Sequence, residues 1–193
     1  MTLILASTSP IRRQMLAAAG VAFETAKPQV DEDEIKSRLS DSSEIALALA
    51  QAKALDVSAA SPDGWVIGSD SVVSVDGRLF DKPRDRSEAE DHLRFFSGRT
   101  MVLTSGVALG RGRVIDWSHV ESAKLIVRAL SDAFIDTYLD SEWPEVGYCV
   151  GVFRMEGRGV QLFEEIEGNH FTILGMPLLP LLGALRERGI LQV

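Results

Sequence analysis

The stretch Val66-Ile67-Gly68-Ser69-Asp70-Ser71-Val72-Val73 sets the terms for the rest of the chain. Val66 and Ile67 read as a short buried strand, and Val72 and Val73 open a second apolar run. Between them lies a small, polar tetrapeptide that carries one carboxylate. A carboxylate at the end of a buried strand is partly desolvated and held in place by the sheet, which suits a general base or a metal ligand. The competing reading is an Asp that only hydrogen-bonds its own turn.

Composition narrows the classes available. The chain has 193 residues, 46% of them hydrophobic, enough for one large domain or a two-lobed one with a sizeable core. Its formal net charge is -8 and no basic stripe is visible, which counts against a protein that grips a nucleic-acid backbone. The Arg and Lys residues that matter should therefore be placed locally, inside an acidic molecule. Cys149 is the only cysteine, which excludes an intrachain disulfide and a multi-cysteine metal site and reads as a small core residue. His92, His119 and His170 show no metal-ligand spacing. The segment from Met1 to Ala6 is too short for a signal-peptide apolar region, and Pro10, Arg12 and Arg13 end it. No run approaches the roughly 18 apolar residues of a membrane span. The expected compartment is the cytoplasm, with no membrane partner.

Taken in order, Leu3 to Ala6 reads as a buried first strand. Ser7-Thr8-Ser9-Pro10 ends it and starts a helix, with Ser9 as candidate N-cap, Pro10 at the first helical position and Gly20 as the stop. A strand, a Ser-rich loop and a helix N-terminus followed by Arg12 and Arg13 have the composition of a phosphate site, although many helices begin this way. Val21 to Thr25 alternates as a strand. The acidic run Asp31 to Glu34 is expected in a loop, either as a solvated face or as a source of carboxylates for a nucleotide-bound cation. A helix is expected from Ser42 to about Ser58, with Ile45, Leu49, Ala52 and Leu55 on its apolar side and Lys53 read as an ordinary solvated lysine.

Asp76-Gly77 is a hairpin signal, Phe80 to Arg84 a basic loop containing Lys82, and Ser87 to Glu90 a capping box. Strands are expected over Met101 to Leu109 and within Val114 to Val127, and Ser131 should cap a helix. Val150 to Ile166 is apolar, with Glu156-Gly157-Arg158-Gly159 as a polar interruption. Gly175-Met176-Pro177 opens the last helix. Interleaved strands and helices with long adjacent strands argue for a mixed α/β fold.

These motifs line up with a family. Leu5-Ala6-Ser7-Thr8-Ser9-Pro10 with Arg12 resembles the opening signature of the Maf family, nucleoside triphosphate pyrophosphatases first linked to septum formation. The likeness continues through Val30-Asp31-Glu32, Ala52-Lys53-Ala54, Gly68-Ser69-Asp70 and Lys82-Pro83. Leu93 with Ser97-Gly98-Arg99, then Glu156-Gly157-Arg158-Gly159, then Gly175-Met176-Pro177-Leu178 complete it in the family's order. The resemblance implies one Maf-like domain over residues 1–193, a two-lobed α/β structure with a long mixed β-sheet flanked by helices and a deep nucleotide cleft. It implies Asp70 as the proton acceptor that activates water. Ser7, Arg12, Lys53 and Lys82 match positions that hold the triphosphate. Glu32 matches an acidic position, and with Asp70 it is the expected metal pair. The implied cofactor is a divalent cation, Mg²⁺ or Mn²⁺. The implied products are a nucleoside monophosphate and pyrophosphate, and some members are homodimers.

Three positions associated with base choice are Ile11, Ser71 and Glu156 here. Members that cleave UTP or dTTP typically carry Arg, Thr and Gln there; those that cleave 7-methyl-GTP carry Trp, Gln and Glu. Only Glu156 is shared with the second set, and Ile11 cannot stack on a base as Trp can. The expected activity is nucleoside triphosphate hydrolysis with a guanine-type preference and a house-cleaning role against non-standard nucleotides. The alternatives are a dTTP/UTP-preferring enzyme and a non-catalytic regulator of cell division acting through partners.

Overall fold

The computed structural model describes residues 2–192. Met1, the first residue of the segment weighed as a leader, and Val193 lie outside the described residues. Strand β1 (Leu3–Ala6) runs parallel to β2 (Glu24–Ala26) and to β3 (Trp65–Val75), with Ile4 opposite Val66 and Ala6 opposite Gly68. The other strands are β4 (Arg78–Phe80), β5 (Thr100–Arg111), β6 (Val114–Val127) and β7 (Phe163–Glu167). They form one mixed seven-stranded sheet in the order β2-β1-β3-β5-β6-β7, with β4 paired to β3. The helices are α1 (Pro10–Ala18), α2 (Glu32–Arg38), α3 (Ser42–Ala60), α4 (Arg86–Phe96), α5 (Asp132–Glu142), α6 (His170–Ile173) and α7 (Leu178–Glu187). Among the described residues no helix is long and apolar enough to cross a membrane.

The chain falls into two compact units. The first comprises the chain through Ser71, Thr104–Glu121 and the chain from Asn169. Its core follows the alternation of β1 and β3. Leu3, Leu5 and Ile67 pack against Met15 and Leu16 of α1 and Leu178, Leu181 and Leu185 of α7. Ile4, Ala6 and Val66 face the other way, against Ala50, Ala54 and Val57 of α3. Burying each such large aliphatic side chain contributes about 1.5–3 kcal/mol. Helix α3 comes unusually close to the sheet because glycines lie beneath it. A Cβ on Gly68 would stand 2.0 Å from the Ala50 carbonyl oxygen, and one on Gly106 2.5 Å from that of Ala46.

The second unit comprises Val72–Leu103 and Ser122–Gly168. In it β3 and β4 form a hairpin through Asp76 and Gly77, both at positive φ (50° and 75°), as the sequence signal required. Strand β6 pairs antiparallel with β7. Phe80, Phe95 and Phe96 cluster with His92 on α4.

Several local expectations are corrected. Asp70 lies within β3, not at a strand end, because the polar residues around it find partners and the strand need not stop. The acidic run is not a loop: Asp31 caps α2 by accepting from the Glu34 N–H, and Glu32, Asp33 and Glu34 fill the first turn, where the helix dipole favours them. The cap of helix α4 lies two residues before the one expected, at Asp85 and not Ser87, since Asp85 accepts from the Glu88 N–H at 2.9 Å. Ser9 precedes α1 but makes no side-chain cap. Of Val21 to Thr25, only Glu24 and Thr25 belong to β2; Val21 packs into the core instead. The apolar run from Val150 to Ile166 turns first, with a short 3₁₀ segment at Arg158–Leu162, and becomes strand only from Phe163 onward.

Candidate active site

The alternation of β3 decides which side chains meet. Val66, Gly68 and Asp70 share the face covered by α3, while Ile67, Ser69 and Ser71 share the face toward α1 and α7. Asp70 is 8% exposed. Between Ala50 and Ala54, the two residues that touch Gly68, α3 presents Lys53, also 8% exposed. Lys53 is therefore not the solvated lysine expected. It belongs to the stripe Ile45, Leu49, Lys53 and Val57, one residue per turn on the buried side, whereas Ala52 and Leu55 are only partly covered. That stripe was present in the sequence and is the signal that could have found it.

A buried ammonium needs partners. Lys53 Nζ lies 2.5 Å from Asp70 Oδ1 and 2.7 Å from Glu32 Oε1. Glu32 arrives on the first turn of α2, which packs along α3, and its side chain is 41% exposed. One cation thus holds two carboxylates together, one buried and one open to solvent.

Arg12, in the first turn of α1, engages the other side of β3. Its Nε donates to the Gly175 carbonyl at 2.8 Å, Nη1 to the Ser69 carbonyl at 2.9 Å and Nη2 to Ser71 Oγ at 3.2 Å. Burial pulls the guanidinium pKa below its ordinary value, and the charges of Asp70 and Glu32 oppose that shift. Ser71 Oγ also lies 2.8 Å from Ser105 Oγ, which donates to the Thr172 carbonyl. Ser7, just past β1, is buried and accepts the Ser9 N–H at 3.1 Å. Ile11 is half-buried on α1.

The first unit therefore brings together Arg12, Glu32, Lys53, Asp70 and Ser71. Lys82 and Glu156 belong to the second unit, where both side chains are exposed. Lys82 sits in the loop after β4. Glu156 sits in a turn beside Arg154, whose Nη2 donates to the buried Glu142 carboxylate at 3.1 Å. Burial pushes the Cys149 thiol up, the charge of Glu156 adds to that, and Arg154 and Lys82 oppose it. Lys82 and Glu156 thus act on the same thiol with opposite sign. Sequence reasoning missed Ser69, Ser105 and the Gly175 carbonyl. The Gly175 contact is a main-chain one that leaves no trace in side-chain identity.

Among the described residues no group of three or more His, Cys, Asp or Glu side chains is arranged to hold a metal ion. The pair Asp70 and Glu32 nevertheless suits a hard cation of the Mg²⁺ type, which binds through one or two carboxylates and completes its shell with water and phosphate oxygens.

A buried mid-strand carboxylate, held by a lysine and flanked by an arginine and a serine-rich helix entry, fits a phosphate-handling α/β protein. Comparison with known proteins agrees. Residues 2–188 match the family described as Maf-like protein, and the chain belongs to the Maf family. It is 48% identical over 194 residues, 98% of either chain, to a 7-methyl-GTP pyrophosphatase of Rhizobium meliloti (strain 1021). It is 45% identical to a protein of the same description from Rhizobium etli, again over 98% of each chain. It is also 45% identical to a nucleoside triphosphate pyrophosphatase of Nitrobacter winogradskyi, over 99% of this chain and 96% of the other.

Proposed function

We propose that this protein is a nucleoside triphosphate pyrophosphatase that hydrolyses a triphosphate to the monophosphate and pyrophosphate, with a preference for guanine-type bases such as 7-methyl-GTP. The observation that carries the reading is the buried Lys53 ammonium joined to Asp70 at 2.5 Å and to Glu32 at 2.7 Å, inside a chain of the Maf family. The descriptions of the Rhizobium relatives support the base preference.

In this reading Asp70 accepts a proton from the attacking water, whose oxygen bonds to phosphorus as the α–β phosphoanhydride breaks. Ser7, Arg12, Lys53 and Lys82 bind the phosphates and stabilise the charge that builds on the departing pyrophosphate. A divalent cation, Mg²⁺ or Mn²⁺, held through Asp70 and Glu32, would supply further charge neutralisation on the phosphate oxygens. The substrate is a free nucleotide in the cytoplasm, without a nucleic-acid or membrane partner, and the chain acts alone or as a homodimer. Removal of non-standard nucleotides is the corresponding physiological role.

Ile11, Ser71 and Glu156 stand at the base-choice positions. Glu156 is proposed to read the base, because a carboxylate offers only acceptors and so pairs with the N1–H and 2-amino group of guanine. Against the O4 edge of uracil or thymine it would meet a lone pair. The test is pyrophosphate release from GTP, 7-methyl-GTP, UTP and dTTP by the parent and by Glu156→Gln. The parent is expected to favour the guanine nucleotides, and the substitution to move the ratio toward UTP and dTTP. A parent that prefers UTP or dTTP, or unchanged ratios in the variant, removes Glu156 as base reader.

A further inference from the structure

Strand β1 ends opposite Gly68, so β3 has lost its parallel neighbour one residue before Asp70 approaches. The Ser69 carbonyl, which a longer β1 would cover with backbone N–H groups, is taken by Arg12 Nη1 at 2.9 Å. The same guanidinium reaches Ser71 Oγ, on the other side of Asp70, at 3.2 Å. Its Nε fixes the Gly175 carbonyl at 2.8 Å, and that carbonyl also lies 3.1 Å from Ser69 Oγ and 3.2 Å from Ser71 Oγ. The residues before and after Asp70 are thus both gripped by one planar side chain. The grip comes from the α1 side of β3, while the Asp70 carboxylate points to the α3 side and Lys53. Gly175 is part of the fit: it has φ +101°, and a Cβ there would lie 3.2 Å from Ser71 Oγ and 3.5 Å from Arg12 Nη2.

We propose that Arg12 is the positioning residue of Asp70: its guanidinium takes over from the missing strand and fixes the carboxylate from behind. The inference rests on the reading of Asp70 as the base. It adds a task distinct from charge. A guanidinium has five N–H donors in a rigid fork, and three are used to brace β3 and Gly175, leaving two for a phosphate. Lysine carries the same charge but has no fork, so it cannot replace the bracket. A misplaced base lowers the chemical step, whereas a lost phosphate contact weakens binding of substrate and transition state alike.

Steady-state kinetics on GTP with Arg12→Lys, Ser71→Ala and Asp70→Asn, each verified as folded by circular dichroism, separate the cases. Arg12→Lys is expected to lower kcat by about 10- to 100-fold with KM little changed. Ser71→Ala, which removes one acceptor of the fork and disturbs the fold least, is expected to lower kcat by a smaller factor on each of GTP, 7-methyl-GTP and UTP. An Arg12→Lys protein that keeps the parent kcat while Asp70→Asn is inactive overturns the bracket and leaves the base assignment standing. So does a Ser71→Ala protein whose kcat is unaltered on every nucleotide. Parent-like turnover by Asp70→Asn overturns the base assignment, and the bracket with it.

Discussion

Lys53 carries one positive charge for two carboxylates, and the consequences of removing it can be stated. Asp70 and Lys53 are both about nine-tenths buried, so neither is screened by water as a surface pair would be. Lys53→Met keeps the aliphatic length and leaves Asp70 charged, buried and facing Glu32. Loss of one member of a buried pair costs about 3 kcal/mol or more, because the remaining charge has no partner. Urea unfolding should therefore show Lys53→Met destabilised by about that amount. Adding Asp70→Asn to Lys53→Met should recover much of the loss, since the uncompensated charge goes too. A second substitution that only adds to the first would mean that the pair is not coupled.

The placement of Lys53 is a property of α3 and β3 together. Gly68 lets the helix backbone rest on the strand, with Ala50 and Ala54 as the small residues above it. Gly68→Ala puts a methyl 2.0 Å from the Ala50 carbonyl and 2.6 Å from the Ala54 nitrogen, both rigid backbone atoms. The helix must move outward, and overpacking of this kind costs about 1–3 kcal/mol. Because Lys53 moves with the helix, kcat should fall by more than the loss of folded protein accounts for, measured alongside thermal unfolding. An intact kcat in the folded fraction would mean that Lys53 is set by something other than this contact.

Helix α4 carries a pH dependence of its own. His92 is half-buried against Phe80, 5.1 Å away and edge-on, and burial lowers its pKa below the ordinary value. Arg78 lowers it further, and the charges of Glu88, Asp91 and Asp81 oppose the shift. The folded pKa is thus below the unfolded one, so the unfolded chain takes up the proton first. The contribution to stability is present above the unfolded pKa of about 6.5 and is lost as pH falls toward the folded value. Thermal unfolding of His92→Leu should accordingly depend less on pH below about 6.5 than the parent does. An unchanged pH dependence would show that His92 does not titrate in this way.

Across the molecule, what could be read from the sequence was what local pattern determines. The hairpin at Asp76-Gly77, the start of α1 at Pro10 and the cap at Ser131 all follow from residues a few positions apart, and the structure has them. What escaped depends on distant partners. Ser69 finds its acceptors at Gly106 and Gly175, 37 and 106 residues away, and those bonds let β3 run through a polar stretch that reads as a break. Lys53 reads as solvated because its charge outweighs its position in the core stripe until Asp70 and Glu32 are brought to it. The acidic composition, net charge -8, is compatible with an anionic substrate because cations are concentrated at particular points.

The decisive measurement is product analysis of GTP turnover with Mg²⁺ by the parent protein and by folded Asp70→Asn. The parent should release GMP and pyrophosphate in equal amounts, and Asp70→Asn should be slower by about 100-fold or more. Release of GDP and phosphate, or near-parental turnover by the variant, would contradict a pyrophosphatase built on Asp70.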